Sequence, residues 1–232
     1  MNVILASTSA VYGGAYLEYL KEELQVLYRG IDELLFIPYA RPQGLTYDEY
    51  TARAAEFFNQ LGIKVKGIHE FENPQTALRE AKAFFTGGGN TFLLVKTLHE
   101  NQLMTVLREE ITKGKPYLGT SAGSNIGGLN MQTTNDMPIV FTPSFECMGL
   151  VPFNLNPHYL DADPTLKHNG ETRETRIKEF LSQNDTPVVG LREGNWIRIL
   201  GEEITVQGPL TTRIFEKNKT PYEVESGTVL TF

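Results

Sequence analysis

A short apolar run that ends in Gly119-Thr120-Ser121-Ala122-Gly123 carries the residues best suited to nucleophilic chemistry. This is a Gly-x-Ser-x-Gly pattern, in which the serine occupies a tight turn between a strand and a helix and its hydroxyl projects from the sheet edge. Glycine flanks the serine because a larger residue does not fit so sharp a bend. The pattern predicts that Ser121 is a nucleophile. A glycine-rich loop that only packs a helix tightly is the alternative interpretation.

A second glycine-rich stretch, Gly87-Gly88-Gly89-Asn90, follows a strand-like run and precedes a helix. Such a loop leaves backbone N–H groups free to hold a phosphate, or the oxyanion that develops during acyl transfer. We predict an oxyanion site from the N–H groups of Gly88 or Gly89 and of Ala122, with Asn90 beside it for substrate binding. The glycine spacing does not fit a dinucleotide site or a P-loop, and a turn without a ligand is the alternative.

A serine nucleophile needs a base within hydrogen-bond distance, and the chain has four histidines. His158 follows Asn156-Pro157 at the end of a strand-like run, where it can reach the same sheet edge as Ser121. We predict that His158 is the base, and a hydrogen-bonded loop histidine is the alternative. The remaining histidines are expected on the surface: His69, His99 and His168.

The acid that orients the histidine has two candidates. Asp136 lies in a polar turn between the serine and the histidine, and Glu193 follows the apolar run 187–191 at a strand exit. Asp136 gives the order Ser, Asp, His, but the spacing is tighter than in an α/β-hydrolase, so that fold is disfavoured. Either carboxylate is equally compatible with a capping or turn role.

Strand-like and helix-like segments alternate over the first half of the chain, which predicts a mostly parallel sheet flanked by helices. From Pro187 onward the runs are short, rich in Val, Ile and Thr, and separated by glycine-containing turns. These runs predict antiparallel hairpins that complete the fold. A length of 232 residues suits one α/β domain spanning 1–232.

The formal net charge of −7 argues against a nucleic-acid partner, because phosphate binding needs clustered Lys and Arg. The first residues lack the pattern of a signal peptide, and no apolar run reaches the length of a membrane span. We therefore expect a cytoplasmic protein without a membrane contact. Cys147 is the only cysteine, so neither an internal disulfide nor a cysteine-based metal site is expected.

Several motifs, in this order and over most of the chain, resemble the peptidase E family of serine peptidases, the α-aspartyl dipeptidases. They are Gly87-Gly88-Gly89-Asn90-Thr91-Phe92, Thr120-Ser121-Ala122-Gly123, Thr133-Thr134-Asn135-Asp136-Met137-Pro138-Ile139-Val140, Asn156-Pro157-His158, Gly170-Glu171-Thr172-Arg173-Glu174 and Glu193-Gly194-Asn195-Trp196. The resemblance implies a cytoplasmic serine peptidase that cleaves dipeptides with N-terminal aspartate. It also implies a fold like that of the class I glutamine amidotransferases, with serine in place of their cysteine.

The resemblance implies Ser121 as nucleophile and His158 as base, with Asp136 as the first choice of acid and Glu193 as its competitor. An acidic substrate side chain needs a cation, for which Arg173 is the first candidate because a guanidinium can grip a carboxylate bidentately. Surface ion pairing is the alternative for Arg173. No metal or cofactor is expected, and the protein would act as a monomer or homodimer. A cyanophycinase-like hydrolase of β-aspartyl or other acidic peptides and a non-catalytic anion-binding protein are the alternative functions.

Overall fold

The computed structural model describes residues 1–163, 165 and 170–232. The strands in these ranges are β1 (Asn2–Ala6), β2 (Glu33–Ile37), β3 (Lys64–Gly67), β4 (Phe84–Thr86), β5 (Tyr117–Thr120), β6 (Asn154–Pro157), β7 (Val188–Leu191), β8 (Trp196–Leu200), β9 (Glu203–Gln207), β10 (Thr212–Phe215) and β11 (Tyr222–Val224). The helices are α1 (Lys21–Leu27), α2 (Tyr47–Phe58), α3 (Pro74–Glu80), α4 (Thr91–Glu100), α5 (Leu103–Thr112), α6 (Ala122–Asn125) and α7 (Arg173–Gln183).

The larger sheet has seven strands in the order β3-β2-β4-β5-β1-β8-β9. Its strands from β3 to β1 are parallel, and β8 and β9 add an antiparallel hairpin to the edge next to β1. The predicted mostly parallel sheet is confirmed. Because parallel strands end at the same edge, the loops after β1, β2, β4 and β5 converge there.

Both faces of this sheet are covered, as expected for parallel strands. Successive residues of β1 show the alternation: Val3 and Leu5 belong to one apolar cluster, and Ile4 belongs to the other. Several of the covering helices begin at side-chain caps. Thr46 and Glu49 form a capping box at the start of α2, and Asn73 caps α3.

The smaller sheet has four strands in the order β11-β10-β7-β6. β10 pairs with β7 and with β11 in antiparallel fashion, which confirms hairpins in the last third of the chain. β6 and β7 are parallel, so the loops that follow them also lie side by side. This parallel pair was not predicted, because its pairing joins distant segments.

Two elements occupy only part of the segments in which they lie. The run 150–158 forms a strand only from Asn154 to Pro157, and Pro152, which has no N–H, lies in the turn before it. The first helix starts only at Lys21, because the chain after β1 first forms a loop in which Leu17 has a φ of 56°. None of the helices in the described ranges is long and apolar enough to cross a membrane.

Candidate active site

Ser121 lies between β5 and α6, at the carboxyl edge of the larger sheet. Its φ is 52° and its ψ is −110°, a backbone conformation that a residue with a side chain rarely adopts. Strain of this kind is concentrated at functional sites. The turn therefore has the geometry that the Gly-x-Ser-x-Gly pattern predicts.

The two glycines of the pattern are required by packing. A Cβ atom at Gly119 would lie 2.3 Å from the carbonyl oxygen of Gly123, and one at Gly123 would lie 2.2 Å from the carbonyl oxygen of Thr86. Both distances are far below any tolerable contact, and the obstacles are backbone atoms that cannot rotate away. Small residues on both sides of Ser121 thus let α6 pack directly against β5 and β4.

His158 contacts the nucleophile. Its Nε2 lies 3.0 Å from Oγ of Ser121, and its Nδ1 lies 2.6 Å from Oε1 of Glu193. Because a carboxylate only accepts, Nδ1–H donates to Glu193 and Nε2 is left to accept the Ser121 proton. The structure thus brings Ser121, His158 and Glu193 into one hydrogen-bonded chain.

The pairing of β6 with β7 explains why the histidine and the glutamate meet. His158 follows β6 and Glu193 lies two residues after β7, and Pro157 is opposite Leu191 in the parallel register. His158 has a φ of 55°, so the chain turns sharply where the imidazole leaves the strand. Two neighbouring strand ends therefore bring His158 and Glu193 together.

Ser7 joins these strand ends to the larger sheet, a role that the sequence analysis missed. Its hydroxyl donates to the carbonyl oxygen of Leu191 at 2.7 Å and accepts from the backbone N–H of His158 at 2.8 Å. The residue is fully buried directly after β1. Ser7 directly follows β1 at the sheet edge that bears Ser121, and this position is the sequence feature from which its role could be inferred.

Asp136, the first choice of acid in the sequence analysis, is not the carboxylate that the structure brings to His158. Its Oδ2 accepts from the backbone N–H of Thr91 at 2.7 Å, from the hydroxyl of Thr91 at 2.6 Å and from the hydroxyl of Thr134 at 3.1 Å. These contacts place its charge at the N-terminus of α4, where the helix dipole favours an anion. Both ring nitrogens of His158 are already occupied by Ser121 and Glu193.

The predicted oxyanion loop lies beside the nucleophile. A Cβ atom at Gly88 would be 3.1 Å from Cβ of Ser121, so the loop backbone approaches the serine closely. Gly89 has a φ of 147° and packs on the carbonyl oxygen of Ala40. In the described part of the chain, the backbone N–H groups of Gly88, Gly89 and Ala122 have no hydrogen-bond acceptor. These donors are available to a developing negative charge.

Asn90, which we predict beside the oxyanion site, has intramolecular partners for its side chain. Its Oδ1 accepts from the backbone N–H of Leu93 and caps α4, and its Nδ2 donates to the carbonyl oxygen of Met137 at 2.8 Å. Both polar atoms of the side chain are therefore used to hold the start of α4 against the turn that contains Asp136. The Asn90 side chain thus stabilises the backbone that surrounds the site.

Arg173 lines a cleft of about 440 Å³ next to His158. Further residues that line it are His158, Tyr159, Leu160, Asp161, Arg192, Glu193 and Leu210. The guanidinium is half-buried, and its Nη1 is buried without a hydrogen-bond partner among the described residues. Burial lowers the pKa of Arg173, and the nearby Glu193 partly opposes this. An arginine without a partner in such a cleft can hold an anionic ligand.

Arg192 also lines this cleft, but its charge is balanced by ion pairs. It contacts Asp161, Glu223 and the carbonyl oxygen of Thr211, at 2.9, 2.8 and 2.7 Å. The hydrogen bond to Arg192 lowers the pKa of Glu223 to about 2, while the pKa of Arg192 is raised. The network fixes the backbone next to Glu193 and was not found from the sequence, since its partners come from three separate segments.

The other histidines have local partners or lie outside the described residues. His69 pairs with Asp48, and His99 contacts the carbonyl oxygen of Glu146. His168 falls outside the described ranges. Among the residues that the structure does describe, no group of three or more His, Cys, Asp or Glu is arranged to hold a metal ion.

Comparison with known proteins identifies the family. The model of Peptidase family S51 matches residues 3–207. A relative from Streptomyces coelicolor named "Peptidase E" is 44% identical over 99% of this chain and 93% of its own length. A Drosophila melanogaster relative named "Probable alpha-aspartyl dipeptidase" is 41% identical over 100% of this chain and 96% of its own length.

A solved structure of a peptidase from an acI-B1 actinobacterium has the same fold, with a TM-score of 0.70, over 100% of this chain and 96% of that chain. Its sequence identity is 18%, so this likeness concerns the fold alone. The predicted resemblance to the peptidase E family is confirmed by the family match and the two relatives. The chain therefore belongs to peptidase family S51 and is a serine-type peptidase.

Proposed function

We propose that this protein is a dipeptidase that hydrolyses dipeptides with an N-terminal aspartate through an acyl-enzyme on Ser121. The observation that carries the proposal is the hydrogen-bonded chain from Ser121 through His158 to Glu193, with Arg173, which forms no salt bridge to a described residue, in the same cleft. The names of the Streptomyces and Drosophila relatives favour this substrate class over a cyanophycinase-like or non-catalytic function.

The acyl transfer follows from the order of the contacts. Oγ of Ser121 attacks the scissile carbonyl carbon while its proton passes to Nε2 of His158. When the C–N bond breaks, Nε2 returns that proton to the leaving amine, which departs as the second amino acid. A water molecule then gives a proton to Nε2, attacks the ester and releases aspartate, and Ser121 regains its proton. Glu193 holds the ring tautomer and stabilises the imidazolium that forms.

The N–H groups of Gly88 or Gly89 and of Ala122 are the proposed oxyanion donors. The close approach of Gly88 to Ser121 and the free state of these N–H groups in the described residues support this assignment. Fixed donors stabilise charge in the transition state without reorganisation, and the loss of one typically costs on the order of a hundredfold or more in rate. Any side chain at Gly88 would push against Ser121 itself.

Arg173 is the proposed partner of the substrate aspartate side chain. It lines the cleft with His158 and Glu193 and has no salt bridge to another described residue, whereas Arg192 in the same cleft is neutralised by Asp161 and Glu223. A half-buried guanidinium forms stronger hydrogen bonds to a carboxylate than a solvated one does. Among the described residues that line the cleft, Arg173 is thus the cation available for an acidic side chain.

The test is a hydrolysis panel with Asp-Leu, β-Asp-Leu and Ala-Leu, for wild type and for Ser121→Ala and Arg173→Met. We expect wild type to cleave Asp-Leu best, and Ser121→Ala to lose at least about a thousandfold while its circular dichroism and melting temperature stay unchanged. Arg173→Met should weaken Asp-Leu hydrolysis far more than Ala-Leu hydrolysis. Preferred cleavage of β-Asp-Leu would favour the cyanophycinase-like function. Retained turnover in Ser121→Ala would remove the nucleophile assignment.

The setting of the reaction is also proposed. The net charge of −7 supports a protein without a nucleic-acid partner, and the substrate is a small acidic dipeptide. We place the enzyme in the cytoplasm, acting as a monomer or homodimer. Fractionation of cells and light scattering of the purified protein test these two statements.

A further inference from the structure

Tyr50 of α2 is a buried side chain that contacts the glycine loop 87–89 beside the nucleophile. Its hydroxyl donates to the carbonyl oxygen of Gly88 at 3.3 Å. A Cβ atom at Gly87 would lie 2.4 Å from the same hydroxyl oxygen, so the loop can approach the ring only because this residue is glycine. A Cβ atom at Gly88 would instead lie 3.1 Å from Cβ of Ser121 and 3.6 Å from its Oγ. The loop therefore contacts both Tyr50 and the nucleophile.

The ring of Tyr50 is held from several directions. Phe36 of β2 packs edge-on against it with ring centres 4.9 Å apart, and the guanidinium carbon of Arg41 lies 4.4 Å from its centre. The backbone N–H of Tyr50 donates to the carbonyl oxygen of Thr46 in the first turn of α2. Burial raises the pKa of Tyr50, and the charge of Arg41 only partly opposes this, so the hydroxyl keeps its proton at neutral pH. Tyr50 is thus a fixed donor next to the loop.

The carbonyl of Gly88 and the N–H of Gly89 belong to one peptide unit. In a planar trans unit these two groups point in opposite directions. Because Tyr50 holds the carbonyl oxygen, the N–H of Gly89 is directed away from Tyr50. Within the described ranges, the carbonyl oxygen of Gly88 accepts from no other donor, and the N–H of Gly89 has no acceptor. The hydroxyl of Tyr50 is therefore the contact that sets the orientation of this unit.

The orientation of the unit is otherwise easy to change, because a glycine lies on each side of it. Rotating the peptide plane changes mainly ψ of Gly88 and φ of Gly89, and neither residue has a Cβ atom to restrict the rotation. Gly89 already has a φ of 147°, in a region that residues with side chains rarely adopt. Without a partner for the carbonyl, the carbonyl and the N–H can exchange directions while the Cα atoms stay in place.

We propose that Tyr50 is a positioning residue that fixes the Gly88-Gly89 peptide unit with the N–H of Gly89 directed at the oxyanion. The inference rests on the proposed function and deepens it, since it assigns the second oxyanion donor, beside Ala122, to Gly89 rather than to Gly88. Tyr50 acts through the carbonyl oxygen that it holds and does not touch the substrate. Without its hydroxyl, the unit also adopts the inverted orientation, which turns a carbonyl oxygen towards the developing negative charge.

The first test is Tyr50→Phe, which removes the hydroxyl and keeps the ring. We expect kcat on Asp-Leu to fall about three- to tenfold, as for the loss of one neutral hydrogen bond. KM should stay within twofold, because the oxyanion forms only after the substrate is bound.

Tyr28→Phe is the matched control. Tyr28 is also buried, and its hydroxyl donates to the carbonyl oxygen of Phe84 at 2.7 Å, in the strand that leads into the glycine loop. The control variant should lose at least as much thermal stability as Tyr50→Phe, with kcat and KM both within twofold of wild type. An equal loss of kcat in the two variants would overturn the proposal, because it would indicate a general loosening of β4.

A second measurement does not depend on the peptide substrate. A fluorophosphonate reacts with an activated serine, and its phosphoryl oxygen then takes up negative charge as the peptide carbonyl oxygen does. Tyr50→Phe should slow the labelling of Ser121 by about the same factor as kcat, and Tyr28→Phe should not. If wild type is labelled but cleaves no aspartyl dipeptide, the proposed function fails and the labelling rates still test Tyr50.

Crystal structures of wild type and Tyr50→Phe test the orientation directly. We expect the carbonyl of Gly88 to face Tyr50 in wild type, and the peptide unit to be inverted or to adopt both orientations in the variant. A single, unchanged orientation in Tyr50→Phe would refute the proposal, as would a wild-type kcat. A change confined to KM would also overturn it, because Tyr50 would then act on substrate binding.

Discussion

Two turns beside the active site each contain a carboxylate, Asp136 or Glu193, and the two carboxylates make different kinds of contact. In the turn of Asp136, one carboxylate oxygen accepts three hydrogen bonds, two of them from Thr91. In the turn of Glu193, the carboxylate is half-exposed and makes one short contact, to Nδ1 of His158. One oxygen of the first carboxylate is thus occupied by contacts within the framework, whereas the second carboxylate contacts the imidazole.

The neighbours of each carboxylate explain this division. Asn135, next to Asp136, donates to the carbonyl oxygen of Pro157, so the Asp136 turn joins α4 to the strand that ends at His158. Arg192, next to Glu193, forms ion pairs with Asp161 and Glu223. These ion pairs fix the backbone, and the Glu193 side chain takes no part in them. One turn supports the framework of the site, and the other supplies the carboxylate that contacts His158.

The largest expected effect follows from neutralising the carboxylate next to the histidine. In Glu193→Gln the amide cannot stabilise the imidazolium, so we expect kcat/KM on Asp-Leu to fall by about a thousandfold, as in other serine triads. The melting temperature should remain that of wild type, because a half-exposed side chain with one contact contributes little to stability. Steady-state kinetics and thermal denaturation check both statements.

A Glu193→Gln enzyme with nearly full activity would contradict the difference in role between Glu193 and Asp136. In that case the hydrogen bond to Nδ1 would be dispensable, and Asp136 would return as the acid. Glu193→Asp serves as the matched control, since it keeps the charge and shortens the reach. It should recover part of the activity that glutamine loses.

The opposite pattern is expected for Asp136→Asn. The asparagine keeps the shape but loses the charge at the N-terminus of α4, so we expect unfolding free energy to fall by roughly 1–2 kcal/mol. The effect on kcat/KM should be about tenfold or less, through displacement of the glycine loop that precedes α4. Urea denaturation and kinetics on the same preparation measure both. A thousandfold loss of kcat at unchanged stability would contradict a supporting role.

These two turns also show how far the sequence leads. Ser121, His158 and both acid candidates could be selected from local patterns: a Gly-x-Ser-x-Gly bend and polar residues where apolar runs end. Asp136 was ranked first because its position gave a familiar order and its motif matched the family. Two of its three hydrogen bonds come from Thr91, which lies 45 residues earlier, so the local pattern around Asp136 does not show these contacts.

The contact between His158 and Glu193 could not be predicted from local sequence patterns either. It depends on the parallel register of β6 with β7 in a second sheet and on Ser7, which lies 151 residues before the histidine that it holds. Such contacts are set by tertiary packing rather than by propensity or spacing. Strand ends could be predicted from the sequence, but which strand ends are neighbours could not.

The smallest expected effect concerns the support of the Glu193 turn. Glu223 has its pKa lowered to about 2 by the hydrogen bond to Arg192. A depressed carboxylate pKa stabilises the fold above the unfolded value of about 4.5, and this contribution is lost as the pH falls through about 2. Because about a third of the side chain is exposed, we expect Glu223→Gln to cost roughly 1 kcal/mol at pH 7 and two- to threefold in kcat/KM.

The pH dependence distinguishes this ion pair from simple packing. The difference in unfolding free energy between wild type and Glu223→Gln should be constant from pH 7 to about 5, then shrink as the pH falls from 4.5 towards 2. Glu225→Gln, two residues further on and without a salt bridge among the described residues, is the matched control and should change stability by less than about 0.5 kcal/mol. A Glu223→Gln deficit that persists unchanged at pH 2 would show that the side chain acts through its shape. Arg192 would then keep its position without the ion pair to Glu223, and the Glu193 turn would be held by the contacts of Arg192 with Asp161 and Thr211.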